Sequence, residues 1–396
     1  MVRRSLACAV LACVVMLPAP ASADPVTIWD FAVFSGGGAT FTSGSPETRL
    51  GTNVTVNGFV GSNEDMDMTS GATVIASGVY VGGFLDMGQD AEIGSSTLLA
   101  EVIVNGVNPD VGAPGAFEAQ INGNIYGNLY VTGDVQLQDH ADINMVGGLG
   151  GNVEYTGNFD TNGTPVVQGT TTNVASTQTF TNIGIPAPTT FTASTNPLDD
   201  RSCTGGGCSS LTLAPGTYSD LNIGSNKTLN LSSGDYFFQS IDVNSDLILN
   251  LDVSAGPINI FVVGVTNFGS NQTTKIKGPG SLVYVDPGTN PSLASQVYLE
   301  THNRFNVNSG TQWAGTVFAS KFEVGADEVF IGTGITWYGA AYGLDSVDIH
   351  QNSTINYVRS YRADLASTAV PEPSTLALLG TGALALVRRA RRRPRA

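Results

Sequence analysis

Along this chain apolar residues alternate with polar ones in short bursts, each closed by glycine, asparagine or aspartate. Residues 221–226 read Leu-Asn-Ile-Gly-Ser-Asn and residues 241–246 read Ile-Asp-Val-Asn-Ser-Asp, an offset of 20. Leu229 and Leu249 keep that offset, as do Leu231 and Leu251, while Gly216-Thr217-Tyr218 and Gly234-Asp235-Tyr236 precede at an offset of 18. The second apolar position recurs at Ile223, Val243, Phe268, Val307, Val324 and Ile349. The widest of these intervals, from Phe268 to Val307, reads as two coils with one obscured. Earlier in the chain Val54-Thr55-Val56, Val79-Tyr80-Val81, Val102-Ile103-Val104 and Leu129-Tyr130-Val131 each run into a glycine within a short step. Ala-x-Val/Ile recurs beside them at Ala72, Ala91, Ala119 and Ala141.

Period-two alternation of β-branched residues, cut by Gly, Asn and Asp, predicts short strands with tight corners. No stretch of the body has helical spacing of its apolar residues. The fold class is all-β, and two architectures fit. In a parallel β-helix each coil stacks on the last, and inward residues form ladders. In a β-sandwich the strands are antiparallel and joined by hairpins. The shared register of the Leu221 and Ile241 segments favours the solenoid, as one rod or as two β segments, with the sandwich as the alternative. The N-terminal β-repeat segment is placed at 24–159 and the C-terminal one at 211–362. Between them, 160–210 reads as a Thr/Pro-rich linker carrying a cysteine loop.

Both ends look like addresses. Residues 1–23 have the charged start (Arg3, Arg4), the apolar stretch and the small-residue cleavage site, Ala21-Ser22-Ala23, of a secretory signal peptide. At the other end, within 363–396, Val370-Pro371-Glu372-Pro373-Ser374 leads into an apolar run at 376–387 and then Arg388, Arg389, Arg391, Arg392 and Arg393. That run is short for a spanning helix of about 20 residues, but flanking residues and snorkelling arginines extend it to one short C-terminal transmembrane helix. The arginines fix its orientation, leaving everything before Pro371 outside the cytoplasm.

On these residues the tail resembles the PEP-CTERM sorting signals of exported proteins. The resemblance implies a Gram-negative bacterium, an exosortase and the secretion machinery as partners, and cleavage near Pro371-Glu372-Pro373. It further implies an inner-membrane-anchored precursor, then a cell-surface or extracellular protein in organisms that make exopolysaccharide and biofilm matrix. The block 211–357 is similar to β-helical domains of uncharacterised function in bacterial surface and pilus-associated proteins. Gly216-Thr217-Tyr218, Gly256-Pro257-Ile258-Asn259-Ile260-Phe261 and Gly315-Thr316-Val317-Phe318-Ala319 carry that likeness, which implies a structural or adhesive role.

Charge sharpens this picture. The chain has a formal charge of −16, but eight of its 17 basic residues sit in the two terminal segments, so the body carries about −23. Such a surface repels phosphate backbones and argues against nucleic acid as a partner. Of four cysteines, Cys8 and Cys13 leave with the signal, and Cys203 and Cys208, flanking Thr-Gly-Gly-Gly, read as a disulfide staple.

Catalytic chemistry is hard to find. His140, His302 and His350 have no second His or Cys at ligand spacing, and no nucleophile elbow or phosphate loop stands in a strand-to-helix context. Acids are plentiful in the second block (Asp242, Asp246, Asp252, Glu323, Asp327, Glu328, Asp345, Asp348), yet nothing marks the pair a glycosidase needs. Calcium has weak candidates in Asn63-Glu64-Asp65-Met66-Asp67 and Asp199-Asp200, which follow no EF-hand or nonapeptide rule. No cofactor is expected. An ice-binding plane would need Thr residues in register, and Thr40-Phe41-Thr42 and Thr177-Gln178-Thr179 are out of register with each other. The sequence therefore reads as a non-enzymatic surface or matrix protein that engages exopolysaccharide or itself. A polysaccharide lyase or glycosidase and an ice- or surface-binding protein remain as alternatives.

Overall fold

The computed structural model describes residues 27–37, 48–106, 116–320 and 328–363. One coil shows how the sequence winds. Asp220–Ile223 lies on face B, Thr228–Ser232 on face C and Gly234–Phe238 on face A, and Ser240–Val243 returns to face B. There it pairs in parallel with Asp220–Ile223, Leu221 beside Ile241 and Ile223 beside Val243. Leu229–Leu249 and Leu231–Leu251 align on face C in the same way. The offset of 20 is thus one turn of a parallel β-helix, and the sandwich alternative falls. Among the described residues every strand pairing is parallel except the small hairpin of Asp142–Val146 with Leu149–Gly150 and two isolated antiparallel bridges, Ser95 with Leu98 and Ile276 with Val285.

Inward ladders form the core. On face B one column runs through Cys203, Ile223, Val243, Phe268, Val307, Ile331, Ile349, Leu50, Met68, Met87, Ala119 and Leu137, all buried. Each row covers the next from water, so apolar burial accumulates coil by coil. The turn from face B to face C is made in the left-handed region on successive coils. Asn226, Asp246, Asn271, Asn352, Asn53, Asp90, Asn122 and His140 all have φ near +60°. Asn and Asp tolerate that conformation because their short side chains bond locally. Here they also bond each other, Asn122 Nδ2 to Asp90 Oδ1 at 2.8 Å and Asn53 Nδ2 to Asn352 Oδ1 at 3.3 Å. At Gly127 (φ +152°) the strand Asn124–Val131 rounds the corner from face C to face A, and a Cβ there would lie 1.8 Å from the Ala100 carbonyl oxygen.

The first described strands lie in the middle of the rod. Phe31–Ser35 lies between Phe59–Ser62 and Ala341–Gly343, and Thr48–Leu50 between Met66–Met68 and Val347–Ile349. Thr55–Asn57 likewise sits between Thr73–Ile75 and Thr354–Tyr357. The N-terminal coils climb from this seam to one end of the rod at Thr171–Asn173, forming an upper stack. Residues 174–196 then run back along the outside as a strap. A lower stack starts at Arg201–Cys203 and climbs until Thr354–Tyr357 meets the first coil. Both stacks belong to one solenoid, with 13 strands on face B among the described residues.

The strap explains face A. Its outward column includes Phe237, Phe261, Phe318, Tyr342, Phe34 and Tyr80, an aromatic stripe that needs cover. Strap residues descend it in order: Thr177 bonds Thr132, Phe180 bonds Asn105, Ile183 bonds Asn63, Thr189 bonds Glu300 and Ser194 bonds Tyr218. Ile183, with Trp29 and Ala363 from the two ends of the described chain, completes a second apolar cluster outside face A.

Three expectations change. The linker read over 160–210 is shorter: the end of Phe159–Thr161, Val166–Val167 and Thr171–Asn173 cap the upper stack, Arg201–Cys203 opens the lower one, and only 174–200 is an excursion, because the threonines before it can still pair their backbone on an existing coil. The wide interval from Phe268 to Val307 is one coil, since the two residues are direct neighbours and 278–296 loops out between faces C and A. Val324 lies outside the described residues, and Ile331 fills the ladder position assigned to it. Among the described residues no helix is long and apolar enough to cross a membrane, and the tail segment read as one lies outside them.

Candidate functional site

With face A covered, faces B and C carry the accessible chemistry. Strand alternation sends every second residue outward. On face B the middle outward position reads, from the lower end upward, Ser202, Asn222, Asp242, Asn267, Asn306, Phe330, Asp348, Arg49, Asp67, Asp86, Glu118, Gln136 and Asp160. Neighbouring coils stand about 4.8 Å apart. Acids and amides dominate this unbroken column.

Its upper part concentrates charge. Asp67, Asp86 and Glu118 follow on successive coils, with the Arg49 guanidinium 3.7 Å from Asp67 at one side. Gln120 donates to Asp86 at 3.3 Å, and Gln138 donates to Glu118 at 2.5 Å. Burial, then the like charges of Asp67 and Glu118, push the Asp86 carboxyl up to about 6. Burial also raises Asp67, with Arg49 opposing the effect and Asp348 adding to it. Carboxylates in such a row hold a proton more readily than isolated ones. Lower down, Asp348 and His350 share a hydrogen bond of 3.1 Å, and the His350 ring centre lies 4.6 Å from that of Phe330.

Face C has a different surface. Its first outward column includes Thr336, Thr354, Thr55 and Thr73 on four successive coils spanning the seam. Beside it Asn57 donates to Asn356 at 3.0 Å, and lower on the same face Asn250 donates to Asn230 at 2.9 Å.

Most acids singled out from the sequence do other work. Asp246 makes a corner, Asp252 is bridged to Lys277 at 2.7 Å, and Glu328 and Asp345 are buried together, the Asp345 amide donating to Glu328 Oε2 at 2.7 Å. Asp242 and Asp348 are in the face B column; Glu323 and Asp327 lie outside the described residues. The stack of Asp67, Asp86 and Glu118 escapes a reading of the sequence, because an insertion around 105–116 spoils its spacing there. His140 turns a corner, and His302 sits 3.2 Å from Glu300 and against Phe191.

The weak calcium candidates are engaged elsewhere. Asn63 holds the strap, Asp65 accepts the Phe84 amide at 2.6 Å, and Asp67 stands in the face B column. Asp199 accepts from Ser194 at 2.5 Å, and Asp200 accepts the Asp220 amide at 3.3 Å. Among the described residues no group of three His, Cys, Asp or Glu has the arrangement of a metal site. Cys203 and Cys208 are bonded as a disulfide, Cα atoms 5.4 Å apart, on the lower end of the rod. Ala21, Ala23, Pro371, Glu372, Pro373 and the basic cluster Arg388, Arg389, Arg391, Arg392 and Arg393 lie outside the described residues.

Residues 369–393 match the PEP-CTERM protein-sorting motif. The chain carries an exosortase sorting signal. It is therefore an exported protein whose precursor passes through the membrane. Residues 201–363, the whole lower stack, match a Domain of unknown function (DUF7305). No curated protein matches this sorted chain. Among solved structures, the ice binding protein from an Antarctic bacterium of the Flavobacteriaceae aligns with it at 13% identity, over 83% of this chain and 97% of its own. The TM-score is 0.25, a superposition too loose to speak for function.

Proposed function

We propose that this exosortase-sorted protein is a structural component of the cell surface or extracellular matrix whose face B binds exopolysaccharide. The acid–amide column along the rod carries the reading. Carboxylates accept hydrogen bonds from sugar hydroxyls, amides both donate and accept, and such a group stands on every coil of the column except those of Ser202, Phe330 and Arg49. The covered face A leaves this column as a long, regular surface rather than a closed cavity. The sorting system the tail addresses supports placing the protein in the biofilm matrix of a Gram-negative host. The role proposed is binding without turnover.

The test uses the secreted protein and the exopolysaccharide of its own host. Retention on that polymer is expected, with a clear loss in Asp67→Asn/Asp86→Asn/Glu118→Gln. Equal retention of the triple variant overturns the assignment to face B. New reducing ends or unsaturated sugars would instead favour the lyase or glycosidase, with carboxylates on adjacent coils as the acid and base.

A second reading, an ice- or surface-binding plane, has one observation of its own: the four threonines in register on face C. It predicts inhibition of ice recrystallisation that is lost in Thr354→Lys and Thr55→Lys.

A further inference from the structure

The loop between Thr273–Lys277 and Val297–Thr301 puts apolar side chains into solvent at one corner of the rod. Its base is fixed. Ile276 and Val285 exchange two backbone hydrogen bonds of 2.8 and 2.9 Å, Gln312 donates to Asp286 at 2.8 Å, and Ala294 is fully buried. Its tip is not covered: Leu282 is 94% exposed, Val283 63% and Tyr284 36%. Gly278-Pro279-Gly280 on one side and Pro287-Gly288 on the other give the tip its turns.

The last described residues lie at the same place. After Thr354–Tyr357 the chain descends the corner between faces C and A. Tyr361 donates to Asn259, the Arg362 guanidinium lies 4.1 Å from the Tyr298 ring centre and 5.3 Å from that of Phe261, and Ala363 is buried. Asn259 and Tyr298 are paired outward residues near the starts of adjoining face A strands, and the loop opens directly into the second of these. The apolar tip and the exit toward the tail therefore share one corner at one level of the rod. The sorting motif begins at residue 369, a few positions beyond Ala363, so it emerges within about 20 Å of that corner even when extended. Lys275, on the strand leading into the loop, gives this corner a cation in a body that has few, while Lys277 beside it is paired with Asp252.

We propose that Leu282, Val283 and Tyr284 form a second membrane contact, which holds the tail-anchored precursor against the bilayer beside its sorting motif. The proposal rests on the tail residing in that membrane. Aliphatic residues at such a tip enter the acyl boundary, Tyr sits at the headgroup level, and the neighbouring Lys275 favours anionic lipid. Leu198, 85% exposed at the far lower end of the rod, supplies the control.

The experiment reconstitutes the full chain in phosphatidylethanolamine/phosphatidylglycerol vesicles, with and without brominated lipid. It compares Leu282→Trp with Leu198→Trp. The native Trp29, Trp313 and Trp337 are buried and form a constant background. Brominated lipid should quench most of the emission added at position 282 and none of that added at 198. Equal emission at both positions, in protein that floats with the vesicles, overturns the loop contact and leaves the tail reading intact. Protein that does not float overturns the tail reading and the proposal with it. Shielding of position 282 from acrylamide without quenching by brominated lipid would place another protein, or a second copy, on the loop and also overturns the proposal.

Discussion

The upper and lower stacks share one winding yet fill and coat it differently. Below the seam the interior is aromatic: Phe268, Phe305, Trp313 and Trp337 meet ring against ring at 5.0 to 6.0 Å, and Tyr236 stacks with Phe238. Above it the interior is mostly aliphatic, with Met66, Met68, Met87, Val79, Val102 and Leu129 in the inward columns. The outer surface changes too. Amides (Asn222, Asn267, Asn306) alternate with few acids below, and carboxylates crowd above. The coil therefore constrains the pattern of inward and outward positions and little else. Volume and charge can drift between stacks so long as the ladders stay in register.

Substitutions can break this contrast. Trp337→Ala removes one of the largest buried side chains, beside the seam, and should cost about 3–5 kcal/mol, more than Met68→Ala in the pliant upper core, in denaturant titrations of the secreted protein. Gly127→Ala places a methyl against the Ala100 carbonyl in a backbone region disfavoured for alanine; a loss of roughly 1–3 kcal/mol is expected, felt first as upper-stack hydrogen exchange. Reduction of Cys203–Cys208 should lower stability by about 2 kcal/mol, because the bond closes a short loop, and should spare the upper stack. The acid column sharpens the comparison by pH. Asp86 titrates at about 6 in the fold and near 4 in the unfolded chain, so the folded state binds the proton more tightly. Its contribution is full below about pH 4 and is lost as pH rises through 6; Asp86→Asn should flatten the melting temperature over that window. Deleting 370–396 separates sorting from all of this: unchanged surface display in the host would remove the role assigned to the tail.

How much of this was legible depended on distance along the chain. The lower coils announced themselves because Leu221, Ile241 and their partners repeat within a single short coil, and the Asn and Asp corners lay next to them. The seam was invisible: Asn57 and Asn356 touch from opposite ends of the described chain, and no local pattern says which coil lies beside the first. The aromatic stripe of face A was not legible either, because the strap that covers it carries no strand signal. The acid trio needed the register, since Asp67 and Asp86 stand one plain coil apart while Glu118 follows only after an insertion. The tail was read from its order of Pro-Glu-Pro, apolar run and arginines, which needs no tertiary contact at all.

A rod whose first coil sits at its centre imposes an order on assembly during secretion. Phe31–Ser35, Thr48–Leu50 and Thr55–Asn57 emerge early and can pair upward at once, but their lower edges stay open until Ala341–Gly343, Val347–Ile349 and Thr354–Tyr357 arrive. Those last strands leave the translocon just ahead of the sorting motif. Under the anchoring proposed above, the tail gives the seam time to close, and a molecule freed before then would carry an unpaired edge into the crowd outside.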